Sequence, residues 1–127
     1  MTQRVLLADD DGIILDMYRT ALANAGFEVT AVGGGEKAIT EMARALPDVV
    51  VLDIQMPKVD GLEVLRWMRT IATIDVPVVI LTNSAGDERR QEAERLGLAA
   101  WLMKSQTLPR QLIQILQAIA SSMLASL

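Results

Sequence analysis

The chain has 127 residues, enough for one domain with a single core, and its 12 basic and 16 acidic residues leave it at −4. That balance speaks against a nucleic-acid surface. It has no cysteine and no histidine, which excludes disulfides, thiolate or His-ligated zinc sites and any triad or general base built on histidine.

Met1-Thr2-Gln3-Arg4 runs straight into a strand-like segment without the apolar stretch of a signal peptide, so a cytoplasmic protein with no membrane contact is expected. Val5, Leu6, Leu7 and Ala8 form a continuous apolar run that ends in Asp9-Asp10-Asp11. Ile14, Met17, Tyr18, Ala21 and Leu22 then recur at helical spacing, and Gly26 stops that helix. Residues 28–32 alternate polar and apolar, the pattern of a half-wet edge strand.

Gly33-Gly34-Gly35 lacks the Gly-Lys-Ser/Thr ending of a phosphate loop and is expected to be a flexible turn. Ala38, Ile39, Met42, Ala43 and Leu46 trace a second helix face, closed by Pro47. Val49, Val50, Val51 and Leu52 predict a strand buried on both faces, with Asp53 at its end and Pro57 forcing a loop. A third helix starts near Gly61 on Leu62, Val64, Leu65 and Met68, with Trp67 off the stripe and partly exposed.

Pro77 introduces a fourth strand, residues 78–81, which ends in Thr82-Asn83-Ser84. A charged helix over 87–96 stops at Gly97, and a fifth strand over 99–103 ends in Lys104. The last helix is expected over 108–127 with Pro109 in its first turn. Leu112, Ile113, Ile115, Leu116, Ile119, Met123, Leu124 and Leu127 spread widely around it, an apolar excess that suits a dimer or partner contact. Gln114, Gln117 and Ser121 interrupt it too often for a membrane span.

Five strands alternating with five helices predict an α/β fold: a doubly wound, five-stranded parallel sheet of order 2-1-3-4-5, flavodoxin-like, over residues 1–127. The three apolar runs take the centre and the mixed second strand an edge. Ligands of such sheets sit beyond the carboxyl ends of the strands, where strands one and three are neighbours. Asp9 and Asp10 therefore meet Asp53. Three crowded carboxylates call for a cation, and oxygen ligands alone favour Mg²⁺. Thr82 and Lys104 end the next two strands. A carboxylate nucleophile, a Mg²⁺ site, a hydroxyl and an ammonium are the parts of phosphoryl transfer onto aspartate.

In these pieces the chain resembles the receiver domain of two-component response regulators, chemotaxis regulators among them. The resemblance rests on Leu7-Ala8-Asp9-Asp10-Asp11, on Leu52-Asp53-Ile54-Gln55-Met56-Pro57 with Asp60-Gly61, on Leu81-Thr82, and on Trp101-Leu102-Met103-Lys104. It implies that Asp53 is the phosphoacceptor and that Asp9, Asp10, Asp53 and the Gln55 backbone carbonyl hold Mg²⁺. It further implies that Thr82 and Lys104 bind the phosphoryl group and that Trp101, with Thr82, takes the place of the aromatic switch. The implied partner is a sensor histidine kinase or phosphotransfer protein. The face made by the fourth helix, fifth strand and fifth helix is where such domains dimerise or dock downstream proteins. A receiver of this kind is no enzyme toward other substrates and catalyses only its own phosphorylation and dephosphorylation.

Two positions depart from the family pattern. Ser105 stands where a proline usually follows the lysine, so a trans peptide and a reshaped loop are expected. Asn83 stands where a small residue is usual, and its amide is expected to narrow access to Asp53 or slow loss of the phosphate. Two alternatives share parts of the site. A haloacid-dehalogenase-like phosphatase also uses an Asp nucleophile, Mg²⁺, Thr and Lys, but needs an acid two residues after the nucleophile, where this chain has Gln55. A receiver-like binding module that is never phosphorylated would keep the fold alone.

Overall fold

The computed structural model describes residues 2–83 and 86–125. Among them, five parallel strands form one sheet in the order β2-β1-β3-β4-β5. The strands are β1 (Arg4–Ala8), β2 (Glu28–Val32), β3 (Val49–Leu52), β4 (Val78–Thr82) and β5 (Ala100–Met103). The helices are α1 (Gly12–Asn24), α2 (Gly35–Arg44), α3 (Gly61–Arg66), α4 (Asp87–Leu96) and α5 (Pro109–Ala125). The predicted fold class and strand order are both observed.

The layering follows from side-chain alternation, since residues two apart on a strand share a face. Leu6, Val50, Leu52 and Ile80 meet α2, α3 and α4 through Ala38, Met42, Leu62, Leu65 and Ala93. Val5, Leu7, Val49, Val51, Val79 and Leu81 meet α1 and α5 through Tyr18, Leu22, Leu112 and Leu116. Every residue of β3 and β4 is buried, as their unbroken apolar runs require. Each Val or Leu buried in this way contributes about 1.5–3 kcal/mol of transfer free energy.

Local rules set the helix ends. Asp11 caps α1 by accepting from the N–H groups of Ile13 and Ile14, and Asp60 caps α3 by accepting from that of Glu63. Gly26, at φ 98°, turns the chain after α1 as the stop signal required. Beyond α3 the chain continues through a π-helical turn, Trp67–Ile71, that periodicity did not indicate. That turn carries Arg69, whose guanidinium donates to the carbonyls of Ile74, Val76 and Gly97 at 2.6, 2.9 and 3.1 Å. One side chain thus ties the loops before β4 and β5 together.

The structure corrects several expectations. Met17 is not on the buried stripe of α1: it is 44% exposed, and its neighbour Ile13 is 84% exposed. Ala43 is exposed, and Leu46 lies beyond the end of α2 with its side chain in solvent. Gly35 is not part of a flexible turn. It opens α2 packed on Val59, whose carbonyl oxygen would lie 2.3 Å from any added Cβ. Ala99 precedes β5, and Leu108 precedes α5. On α5, Ile113, Ile115 and Ile119 are half-buried against the sheet, and Met123, at 36%, is the one large apolar residue exposed among those described. Ser84, Leu127 and the side chain of Leu124 lie outside the described residues.

Candidate functional site

The site lies where β1 and β3 end side by side. Their register pairs Ala8 with Leu52, so Asp9 and Asp53 are the next residues of each chain. The Asp53 N–H donates to the Ala8 carbonyl at 3.0 Å and the Asp9 N–H to that of Val32 at 3.2 Å, which carries the sheet's hydrogen bonding one step past the strands. Both carboxylates are consequently buried, Asp9 being 4% and Asp53 6% exposed. Asp10 is exposed at the rim. Carboxylate oxygens of Asp9, Asp10 and Asp53 nevertheless all lie within 4.8 Å of one another.

Lys104, at the end of β5, reaches into this cluster. Its Nζ lies 2.5 Å from Asp9 Oδ2 and 2.9 Å from Asp53 Oδ2. The carboxylates are thus crowded around an ammonium. Burial pushes the Asp9 carboxyl above its ordinary range, and the hydrogen bonds from Lys104 and the Asp11 N–H only partly offset it. For Lys104 burial acts downward, but its hydrogen bonds to Asp9 and Asp53 outweigh it and hold the ammonium above the ordinary lysine value.

The surrounding loops fix these groups. Asp9 Oδ1 accepts from the Asp11 N–H at 2.9 Å, and Asp53 Oδ1 accepts from the Gln55 N–H at 3.3 Å. Gln55 is exposed at the rim, in a shallow cleft it shares with Asp10, Met56, Asp60 and Arg89. Gly61 packs flat on the Asp53 backbone, where an added Cβ would stand 2.1 Å from the Asp53 carbonyl oxygen. The Asp60-Gly61 pair noted in the sequence therefore supplies a helix cap and a close backbone approach.

Thr82 ends β4 fully buried and hydrogen-bonded. Trp101 pairs in register with Ile80, two residues before Thr82, so Trp101 and Thr82 belong to the same face of the sheet. Trp101 is half-buried, and the Arg90 guanidinium of α4 stands over its ring at 6.0 Å. The Lys104–Ser105 peptide is trans, as expected, and residues Lys104–Gln106 form a 3₁₀ turn. That turn is tied on two sides: Ser105 donates its N–H to Asn83 Oδ1 at 3.2 Å, and the buried Tyr18 hydroxyl donates to the Thr107 carbonyl at 3.1 Å. Neither tie was anticipated, since nothing in the spacing of Tyr18 from Thr107 or of Asn83 from Ser105 signals contact.

Asp9, Asp10, Asp53 and Lys104 are thus brought into one cluster, with Gln55 bonded to it, while Thr82 and Trp101 sit on the neighbouring strands. The donor set fits a hard divalent cation: three carboxylates, no nitrogen or sulfur ligand, and an open rim at Asp10 for water. Among the described residues no helix is long and apolar enough to cross a membrane.

Comparison with known proteins agrees with this geometry. The family model described as the response regulator receiver domain matches residues 5–117. The chain is 38% identical over 101 residues to regulatory protein AtoC of Escherichia coli, covering 80% of this chain and 22% of AtoC. It is 38% identical over 82 residues to the DNA-binding response regulator MtrA of Mycobacterium tuberculosis, covering 65% of this chain and 35% of MtrA. The chain therefore spans only about a fifth to a third of the length of these two curated relatives. The solved structure of chemotaxis response regulator CheY4 of Vibrio cholerae superposes with a TM-score of 0.83 at 30% identity, covering 94% of this chain and 99% of that one. With its sheet order, its strand-end carboxylates and a family match over most of its length, the chain belongs to the receiver domain family of response regulators.

Proposed function

We propose that Asp53 accepts a phosphoryl group from a phosphohistidine on a sensor kinase or phosphotransfer protein, and that residues 1–127 act as one receiver unit in this exchange. An Asp53 carboxylate oxygen attacks phosphorus, the phosphorus–nitrogen bond breaks, and the electron pair leaves with the partner's imidazole. Asp9, Asp10, Asp53 and the Gln55 backbone carbonyl would hold Mg²⁺, which when bound neutralises charge on the transferred oxygens. Lys104 moves from Asp53 to the incoming phosphoryl oxygens, and the Thr82 hydroxyl donates to another of them. Trp101 and Thr82 then relay the change to the face made by α4, β5 and α5, where a second copy or a downstream protein docks.

The observation that supports this reading most strongly is the single ammonium of Lys104 shared by Asp9 and Asp53. A clamp for the anionic product is already in place beside the nucleophile. A phosphatase of the dehalogenase type is not favoured, because Gln55 cannot serve as the acid that such an enzyme needs at that position. The chain catalyses only its own phosphorylation and dephosphorylation, in the cytoplasm, without contacting nucleic acid itself.

The test is incubation with acetyl phosphate or beryllofluoride and Mg²⁺, read by intact mass, by mapping of the modified residue, and by Trp101 fluorescence in a Trp67→Phe background. A single adduct on Asp53, absent in Asp53→Asn, is expected. Continuous phosphate release over many turnovers would favour the phosphatase. Mg²⁺ binding with no adduct would favour the binding module.

A further inference from the structure

Asn83 and Ser105, both singled out in the sequence against the receiver pattern the chain resembles, are joined in the structure. Asn83 directly follows Thr82 and Ser105 directly follows Lys104. Thr82 and Met103 are the last residues paired between β4 and β5. Beyond them the strands part, and the Asn83 carboxamide oxygen reaches across to accept the Ser105 N–H at 3.2 Å. A side chain thus supplies one more link between the strands where the backbone no longer can. The link needs both residues. A proline at 105 carries no N–H, and an alanine at 83 carries no acceptor.

We propose that this hydrogen bond is a positioning clasp for phosphoryl transfer. By tying the residue after Thr82 to the residue after Lys104, it holds the hydroxyl and the ammonium at the spacing that receives the phosphoryl oxygens. The inference rests on the phosphoacceptor reading of Asp53. It makes Asn83 a positioning residue that touches no reacting atom and acts through the Lys104–Gln106 turn. The turn's other tie, from Tyr18 to Thr107, lies on the α1 side. Among the described residues, the segment without Asn83 keeps the tie from Tyr18 to Thr107 and the contacts of the Lys104 side chain.

The expected size is that of one exposed neutral hydrogen bond, which in a rate corresponds to roughly a three- to tenfold change. The experiment measures the rate at which acetyl phosphate and Mg²⁺ phosphorylate Asp53 in the full chain, for wild type, Asn83→Ala, Ser105→Pro and the double variant. Melting temperature and Ser105 amide hydrogen exchange are followed alongside. Each single variant should lose about three- to tenfold in rate, and the double variant should lose no more than either alone. Ser105→Ala, which keeps the N–H, should restore the wild-type rate. Ser105 amide exchange should accelerate in Asn83→Ala even without phosphodonor.

The clasp is overturned if Asn83→Ala slows the reaction and Ser105→Pro does not, if the two losses multiply, or if the Ser105 amide exchanges equally fast with and without Asn83. Should Ser105→Pro not fold, the comparison of Asn83→Ala with Ser105→Ala and the exchange measurement decide the matter. A wild-type chain that takes no phosphate on Asp53 refutes the phosphoacceptor reading. A wild-type chain that does, with Asn83→Ala unchanged in rate, refutes the clasp alone.

Discussion

Gly61 and Asp53 touch backbone to backbone, leaving no room for a Cβ at the first residue of α3. Asp53 is thereby held from below by a helix start, while its carboxylate is held from above by Lys104 and the Gln55 N–H. Gly61→Ala must push main chain against main chain, which a flexible side chain cannot absorb. A loss of about 2 kcal/mol or more is expected, with slower phosphorylation of Asp53. Urea denaturation and acetyl phosphate kinetics check both, and a variant as stable and as fast as wild type would show that the helix start yields.

Lys104→Met leaves Asp9 and Asp53 buried side by side without their ammonium. Removing one partner of a buried ion pair strands the other, so metal-free stability should fall by about 3 kcal/mol. Added Mg²⁺ should recover part of it, because a ligand bound only by the folded chain stabilises that state. Denaturation with and without Mg²⁺ measures the two effects. If Mg²⁺ raises the stability of neither chain, no metal occupies the carboxylate cluster.

Tyr18 gives the pH dependence a clear sign. Burial raises its hydroxyl above the ordinary value of 10.0, with the Lys104 charge opposing and Asp9 adding to the shift. The folded chain therefore keeps the phenol proton more tightly than the unfolded one. The stability this represents is complete below pH 10.0 and is lost as pH rises through the folded value. Lys104, also raised, loses its contribution in the same direction above 10.5. Tyr18→Phe should flatten the alkaline fall above pH 10.0, while costing about 1 kcal/mol at neutral pH for the lost bond to Thr107. Melting curves across that range test it.

Arg69→Met should be disproportionately costly for a surface-facing turn, because three backbone carbonyls lose a charged donor together. A loss of about 2–3 kcal/mol is expected, with little change in the phosphorylation rate, since the tie lies at the amino ends of β4 and β5. Denaturation with parallel kinetics separates the two. A large kinetic loss at unchanged stability would contradict this placement.

Much of the pocket was legible because it is built by rules that run along the chain. Unbroken apolar runs mark buried strands, and whatever follows them stands at the carboxyl edge of the sheet, so Asp9, Asp53, Thr82 and Lys104 could be gathered from position alone. What stayed hidden depends on how distant elements settle against each other. Met17 matches its helical stripe, yet α1 is rotated so that Tyr18 and Leu22 carry the contact. Gly35 looked like slack, and only the approach of Val59 gives it a purpose. The resident cation among the carboxylates was visible as a lysine, but its double contact with Asp9 and Asp53 was not. Asn83 and Ser105 read as two unrelated departures until the structure made them partners.

The register that pairs Ala8 with Leu52 has a consequence for robustness. The backbone spacing between Asp9 and Asp53 is set by neighbouring strands, which lie about 4.7–4.9 Å apart in any sheet, while the loops that follow only orient the two carboxylates. Loop exchange can therefore retune entry, exit and partner choice while the nucleophile and its acidic neighbour keep their separation. That separation is as durable as the central strands themselves, so the reactive pair should survive heating and surface redesign until the whole domain gives way.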